Sequence, residues 1–289
     1  MNNNLVFISI ASYRDTQTQS TVNNLINTAT NPNNLRIVVV EQNLKRDKYK
    51  VNSDLPKVRV LRNIEGKGPA WARYLATTLY NGEQYFMQID SHMTFIKGWD
   101  TIMKQQTASI QNNHAIFTCY PPPKISEFPV KSITENWSLD HHNHIIAQGK
   151  ITPSDGVPSL GIFVSAGFIF CGDAELFLRE IPYDPNLKYL FQGEEILLSA
   201  RLFTSGWDVY HPAVCVCSHD YIRENQPKVW KNNPDFWVHN KNAVRKYRYL
   251  TQQLKGLPAP TDNIYDCGTV RPIDDWKQLI KLPPEHLFD

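Results

Sequence analysis

Asp90 and His92, held one residue apart by Ser91, end the apolar run Tyr85-Phe86-Met87-Gln88-Ile89. At the end of a buried strand, an acid and an imidazole two residues apart project to the same side of the extended backbone. A hard carboxylate oxygen beside an imidazole nitrogen suits Mn2+ or a similar divalent ion that carries phosphate oxygens. The same triplet alone also fits a turn-forming acid followed by an ordinary surface histidine, so its surroundings decide.

Two other clusters offer less. Adjacent imidazoles do not readily converge on one ion, so His141-His142-Asn143-His144 reads as a solvated loop. Cys215-Val216-Cys217 lies in an apolar run with no second pair to complete a zinc site, and reads as core. The five cysteines are odd in number and show no CxxC spacing, which points to free thiols in a reducing compartment.

Composition narrows the class. With 42% hydrophobic and 20% charged residues in 289, the chain reads as a soluble globular enzyme. A formal charge of +2 creates no field that argues for a nucleic-acid partner. No apolar stretch is long enough for a membrane span, and the first residues lead straight into a strand. The expectation is a cytoplasmic protein without signal peptide or anchor.

The elements that must position Asp90 and His92 alternate. Residues 5–11 form a continuous apolar run, the mark of a strand covered on both faces. A helix is expected over 18–29, stopped by Asn31-Pro32, then strands at 35–42 and 58–61. Gly68-Pro69 opens a helix over 71–80, and Gly98 starts another before the strand at 115–120. This order predicts a doubly wound α/β sheet whose ligands gather beyond the carboxyl ends of its strands. Residues 121–158, rich in Pro, Asn, His and Ser, read as a long excursion with edge strands, a lid or acceptor surface. Strand returns at 164–170, where Ser165, Ala166 and Gly167 allow close approach to a ligand. Asp173 and Gly193 open helices ending at Arg179 and Phe203, extended segments follow at 209–211 and 213–217, and 236–254 reads as helix. Leu257-Pro258-Ala259-Pro260 separates that helix from a final short segment.

Three blocks in order, Ser9-Ile10-Ala11-Ser12-Tyr13-Arg14-Asp15, Gly68-Pro69-Ala70-Trp71-Ala72-Arg73 and Gln88-Ile89-Asp90-Ser91-His92, resemble the cytoplasmic hydroxyproline N-acetylglucosaminyltransferases. The likeness continues through Gly193-Glu194-Glu195, His219 with Arg223, and the segment from Cys267 to Trp276, and is weakest between 126 and 159. Cys267 and Pro272 depart from the pattern of that closing segment. More distantly, Asp90-x-His92, Ser165-Ala166-Gly167-Phe168-Ile169-Phe170, and Gly193-Glu194-Glu195 with Ser199 and Arg201 resemble the polypeptide N-acetylgalactosaminyltransferases. The resemblance implies a GT-A fold, a Rossmann-like sheet with helices on both faces. The implied catalytic domain covers 1–224, with 126–159 as its excursion, and a helical extension over 225–289 packs on it. The implied reaction is retaining transfer of N-acetylglucosamine from UDP-GlcNAc to a hydroxyl, with a polypeptide or glycan as acceptor.

Site roles follow from that resemblance. Asp90, His92 and His219 would hold the divalent ion, Mn2+ or a relative, and Arg223 the diphosphate. Arg73 would hold the Asp90 carboxylate in place. Ala11, Ser12, Tyr13 and Arg14, with Ser91, Ala166 and Gly167, would border the nucleotide sugar. Glu194, then Glu195, would be the carboxylates on the sugar side. Retention by a covalent glycosyl-enzyme and retention by front-side attack both fit these residues. So do transfer of another UDP-sugar onto a surface glycan or polysaccharide, and a catalytically silent nucleotide-sugar-binding module. A metal-dependent hydrolase fits less well, since no second metal cluster or paired acid/base spacing is visible.

Overall fold

The computed structural model describes residues 2–55, 57–62, 64–254 and 263–283. Along the chain come β1 (Asn2–Ser12), α1 (Thr18–Thr28), β2 (Leu35–Glu41), β3 (Val58–Leu61), α2 (Pro69–Thr77), β4 (Glu83–Asp90), β5 (Met93–Phe95), α3 (Trp99–Ser109) and β6 (Ala115–Thr118). Then follow β7 (Val130–Leu139), β8 (Ile145–Pro153), β9 (Ser159–Gly161), β10 (Phe168–Cys171), α4 (Ala174–Glu180), α5 (Glu194–Thr204), β11 (Asp208–His211) and β12 (Cys217–His219). The chain continues with α6 (Val229–Asn232), α7 (Phe236–Leu250) and α8 (Ile273–Leu279).

Eight strands form one sheet in the order β3-β2-β1-β4-β10-β6-β11-β9. The alternation of side chains along each strand splits the core in two. Val6, Ile8 and Ile10 of β1 join Met87, Ile89, Phe168 and Phe170 on one face, where Val22 and Leu25 of α1 and Trp99 and Met103 of α3 cover them. Phe7, with Val38, Phe86, Ile116 and Ile169, faces the other way and meets Ala72 and Ala76 of α2, Phe177 of α4 and Leu198 of α5. Burying each large aliphatic or aromatic side chain contributes roughly 1.5–3 kcal/mol. A strand apolar at every position therefore needs a helical layer on each side.

The sheet is mixed rather than parallel throughout. β1 to β4 run parallel, but β10 lies antiparallel between β4 and β6, and β9 is antiparallel to β11. β10 is shorter than expected. Residues 164–167 form the turn that feeds it, and the Asp90 backbone N–H donates to the Gly167 carbonyl at 3.2 Å. Residues 213–216 are likewise irregular, and only Cys217–His219 pair as a strand.

The excursion after Pro121 is an ordered hairpin: β7 and β8 pair antiparallel over almost their full length. Trp137 Nε1 on that hairpin donates to the Ile280 carbonyl at 2.7 Å. A third core cluster joins Ile145 and Ala147 of β8 to Leu197 of α5, Tyr247 of α7 and Trp276 of α8. The Leu257-to-Pro260 segment lies outside the described residues. All five cysteines are free thiols, and Cys119, Cys215 and Cys217 pack together in the first core cluster. Among the described residues, no helix is long and apolar enough to cross a membrane.

Candidate active site

A cleft of about 270 Å³ opens beyond the carboxyl ends of β1 and β4, with Asp90, His92 and His219 in its wall. Asp90 is the last residue of β4 and lies beside Ala11 of β1. His92 is not on that strand. β4 stops at Asp90, and Ser91 and His92 form a bend before β5, so strand alternation is not what aims the imidazole. Helix α1 sets the bend: Thr21 Oγ1 donates to the Ser91 carbonyl at 2.9 Å and accepts the Met93 N–H at 3.0 Å. His219 arrives by the two-stranded pairing of β12 with β5, in which His219 faces Met93. The Asp220 N–H then donates to the His92 carbonyl at 3.1 Å.

The result is a convergent set. The His92 and His219 rings lie 4.6 Å apart, and His219 Nε2 is 3.1 Å from Asp90 Oδ2. One ligand atom from each of Asp90, His92 and His219 falls within 4.8 Å of the others, close enough to share one ion. Asp90 keeps 29% of its side-chain surface open. The donors fit a divalent cation: one carboxylate and two imidazoles, a mixed set suited to Mn2+ or its neighbours.

The groups behind the set orient it. His92 Nδ1 is 2.8 Å from Asp15 Oδ2, which leaves Nε2 for a ligand. Asp15 is buried and also accepts from Ser91 Oγ at 2.5 Å and from the Gln17 N–H at 2.9 Å, with Arg223 Nη2 at 2.9 Å. Burial alone would raise the Asp15 pKa, but the bonds from His92, Ser91 and Gln17 and the Arg223 charge hold it below the usual value. Asp90 follows the same pattern. Burial works against its charge, and His219 and the Arg73 guanidinium outweigh that, keeping it well below the ordinary carboxylate range.

Arg73, buried in the middle of α2, reaches Asp90 Oδ1 at 3.3 Å and the Ala166 carbonyl at 3.1 Å, and pairs with Glu194 through Nη1. Glu195, the next residue on α5, accepts the Ala166 N–H at 2.7 Å and the Tyr120 hydroxyl. Its pKa is raised, chiefly by burial and further by Asp90, against the lowering effect of Tyr120 and Ala166. At Gly167 an added Cβ would stand 3.3 Å from Asp90 Oδ2 and 3.7 Å from the His219 ring, so a small residue is needed there.

Of the residues expected at the site, Ala11, Tyr13, Asp90, Ser91, His92, His219 and Arg223 line the cleft. Arg73, Ala166, Gly167, Glu194 and Glu195 form a bonded layer around Asp90. Two side chains turn elsewhere. Ser12 Oγ bonds Thr18 Oγ1 at 2.7 Å, and Arg14, at a positive φ of 48°, forks onto Asp47 at 2.8 and 2.9 Å. The sequence reading missed Asp15 and Tyr120 as site residues. Asp15 carried one signal, its place at the end of the Ser-Tyr-Arg-Asp segment after a buried strand. Tyr120 carried none.

A larger depression, about 660 Å³, lies at the opposite end of the sheet, by the starts of β4 and β6. Its charged side chains, such as Lys104, Glu175 and Arg179, form no such ligand set.

Comparison with known proteins bears on the fold and the family. No curated protein sequence matches the chain. The fold is similar to that in the crystal structure of GalNAc-T7 with UDP, GalNAc and Mn2+, with a TM-score of 0.63 at 15% identity. That match covers 96% of this chain but 56% of the other, so the chain spans little more than half the length of that protein. At such low identity the likeness establishes the architecture, a GT-A glycosyltransferase fold. The model of the glycosyltransferase (GlcNAc) family matches residues 5–62 and 50–286, nearly the whole chain, and with the cleft at the carboxyl ends of the sheet it assigns the protein: the chain belongs to the GlcNAc glycosyltransferase family.

Proposed function

We propose that this protein is a metal-dependent, retaining N-acetylglucosaminyltransferase that uses UDP-GlcNAc and modifies a hydroxyl on a polypeptide. The observation that carries the reading is the convergence of Asp90, His92 and His219, remote in sequence, in the wall of one cleft. The resemblance to the hydroxyproline N-acetylglucosaminyltransferases supports the donor and acceptor, and the UDP and Mn2+ bound by GalNAc-T7 support the cofactor class.

A divalent cation, when bound, supplies charge neutralisation to the departing diphosphate. The chain's own groups do the rest. Asp15 fixes the His92 tautomer. Arg73 holds Asp90 and Glu194 together, so that the cation side and the sugar side of the site move as one piece. Tyr13 and Ala11 border the nucleotide, and Arg223 offers its guanidinium to a phosphate. Glu194 and Glu195 bind donor hydroxyls near the reacting carbon. The hairpin β7–β8 serves as the acceptor surface. Residues 225–289 act as an extension of the catalytic unit, and Lys228 and Trp230 within it already line the cleft.

A panel of nucleotide sugars tests this. Wild type should hydrolyse or transfer from UDP-GlcNAc in the presence of Mn2+, and Asp90→Ala should lower that turnover about a thousandfold. Turnover that is equal with and without metal, and unchanged by the substitution, would overturn the reading.

A further inference from the structure

We propose that Lys228 is a second cationic contact for the donor's diphosphate, working beside Arg223. This rests on the reading of the cleft as a nucleotide-sugar site. The loop from Asp220 to Lys228 leaves β12 and forms one wall of the cleft, in which Arg223 and Lys228 are the lysine and arginine side chains. Lys228 is anchored through its main chain: its carbonyl accepts the Lys231 and Asn232 N–H groups at 3.0 and 3.1 Å, opening α6. Its ammonium lies 5.8 Å from the centre of the Trp230 ring, a cation–π distance that holds it along the wall.

Lys228 has no ion-pair partner among the described residues, unlike several other cations of the chain. Lys67 pairs with Glu65 at 2.5 Å, Lys246 pairs with Asp184, and Arg73 is divided between Asp90 and Glu194. Among the described residues, no carboxylate lies within ion-pair distance of Lys228. The two acids in the same wall are already bonded, Asp90 to His219 and Arg73, and Asp220 to the Gln17 amide at 2.7 Å. Arg223 is only partly satisfied. Its Nη2 lies 2.9 Å from Asp15 Oδ2 as a charge contact without a hydrogen bond, and Nε is likewise buried without an acceptor.

Two cations therefore share one wall with less than one carboxylate between them. Partial burial, then repulsion from Arg223 and Lys231, lowers the Lys228 pKa against a smaller opposing pull from Asp15, so the cation is held there at a cost. A bound dianion removes that cost. A diphosphate matches the pair chemically: the guanidinium, with one edge turned to Asp15, meets one phosphate as a charged donor, and the ammonium, a point charge on a flexible stem, follows the other. A neutral sugar or an apolar peptide would leave the repulsion in place.

Calorimetric titration of wild type, Lys228→Gln and Lys228→Arg with UDP, UMP and uridine, all in Mn2+, separates the outcomes. UDP affinity should fall about tenfold in the glutamine variant, the scale of one lost charge-assisted hydrogen bond. UMP should lose less and uridine nothing, and the arginine variant should stay within about threefold of wild type for UDP. Unchanged UDP affinity in Lys228→Gln would overturn the proposal, as would an equal loss for uridine, which would mark distortion of the loop. Failure of the wild type to bind UDP at all would instead overturn the reading of the cleft, and this inference with it.

Discussion

Two histidines in this molecule make nearly the same bond and do different things. His92 Nδ1 lies 2.8 Å from Asp15, and His144 Nδ1 lies 2.9 Å from Asp140. At the hairpin tip the partner is four residues away. Asp140 Oδ1 also accepts the His142 and His144 N–H groups, each at 2.8 Å, so the pair closes a turn. In the cleft the partner is 77 residues away, and the imidazole it orients stands beside two more ligand groups. A carboxylate on a ring nitrogen is thus no sign of a metal site by itself. What distinguishes the cleft is convergence from separate elements, β4, the bend after it and β12, on one opening.

The most direct way to break this comparison is to remove one ligand from each place. Asp90→Ala or His219→Ala should reduce metal-dependent UDP-sugar turnover about a thousandfold, the several kcal/mol that charge neutralisation supplies. His144→Ala should leave turnover within about twofold. A large loss in the His144 variant would place the hairpin tip in the site.

A third buried histidine sharpens the point, because it has no carboxylate. His211 is fully buried and accepts the Thr134 N–H on Nε2 at 3.0 Å. Burial first, and Lys131 second, push its pKa down to about 4. In the unfolded chain the ring protonates near its ordinary value of about 6.5. Between these values the unfolded state binds more protons, so stability is fully present above about pH 6.5 and is lost as pH falls toward 4. The loss is on the order of 3 kcal/mol, readable by thermal or urea melts across that window. His211→Gln, which keeps an acceptor for Thr134, should flatten it.

Smaller effects separate the two aspartates. Asp15→Asn should weaken Mn2+ binding by roughly 10- to 100-fold in a titration, since the orienting carboxylate of His92 loses its charge. Asp140→Asn should leave Mn2+ binding unchanged and lower stability by about 1 kcal/mol or less, measured by chemical denaturation. Equal effects on the metal would erase the distinction between an orienting pair and a turn.

Much of the frame was legible before any coordinates. Val6 to Ile10 announced a strand buried on both faces, and they lie at the centre of the sheet. Gly68-Pro69, Asp173 and Gly193 marked helix starts, and Asp173 Oδ1 does accept the Leu176 N–H at 2.9 Å. The reversed direction of β10 was not legible, because an apolar strand of four residues reads alike in either direction. Strands were expected in the excursion, but their pairing as one long hairpin was not legible: they are polar on their exposed face and carry little apolar periodicity.

The sequence by itself determined the donors that can hold a cation, the alternating elements that carry Asp90 to a strand end, and the family. Those are local properties, written in residue type and spacing. Only the tertiary structure decided that His219 meets His92, because a three-residue strand pairing that sets His219 opposite Met93 brings them together, and no short-range pattern specifies that register. It likewise decided that Asp15 orients the imidazole and that Lys228, without an ion pair among the described residues, lines the cleft. A side chain's role there depends on which charges lie within a few ångströms, and burial and folding, not neighbours in the chain, settle that.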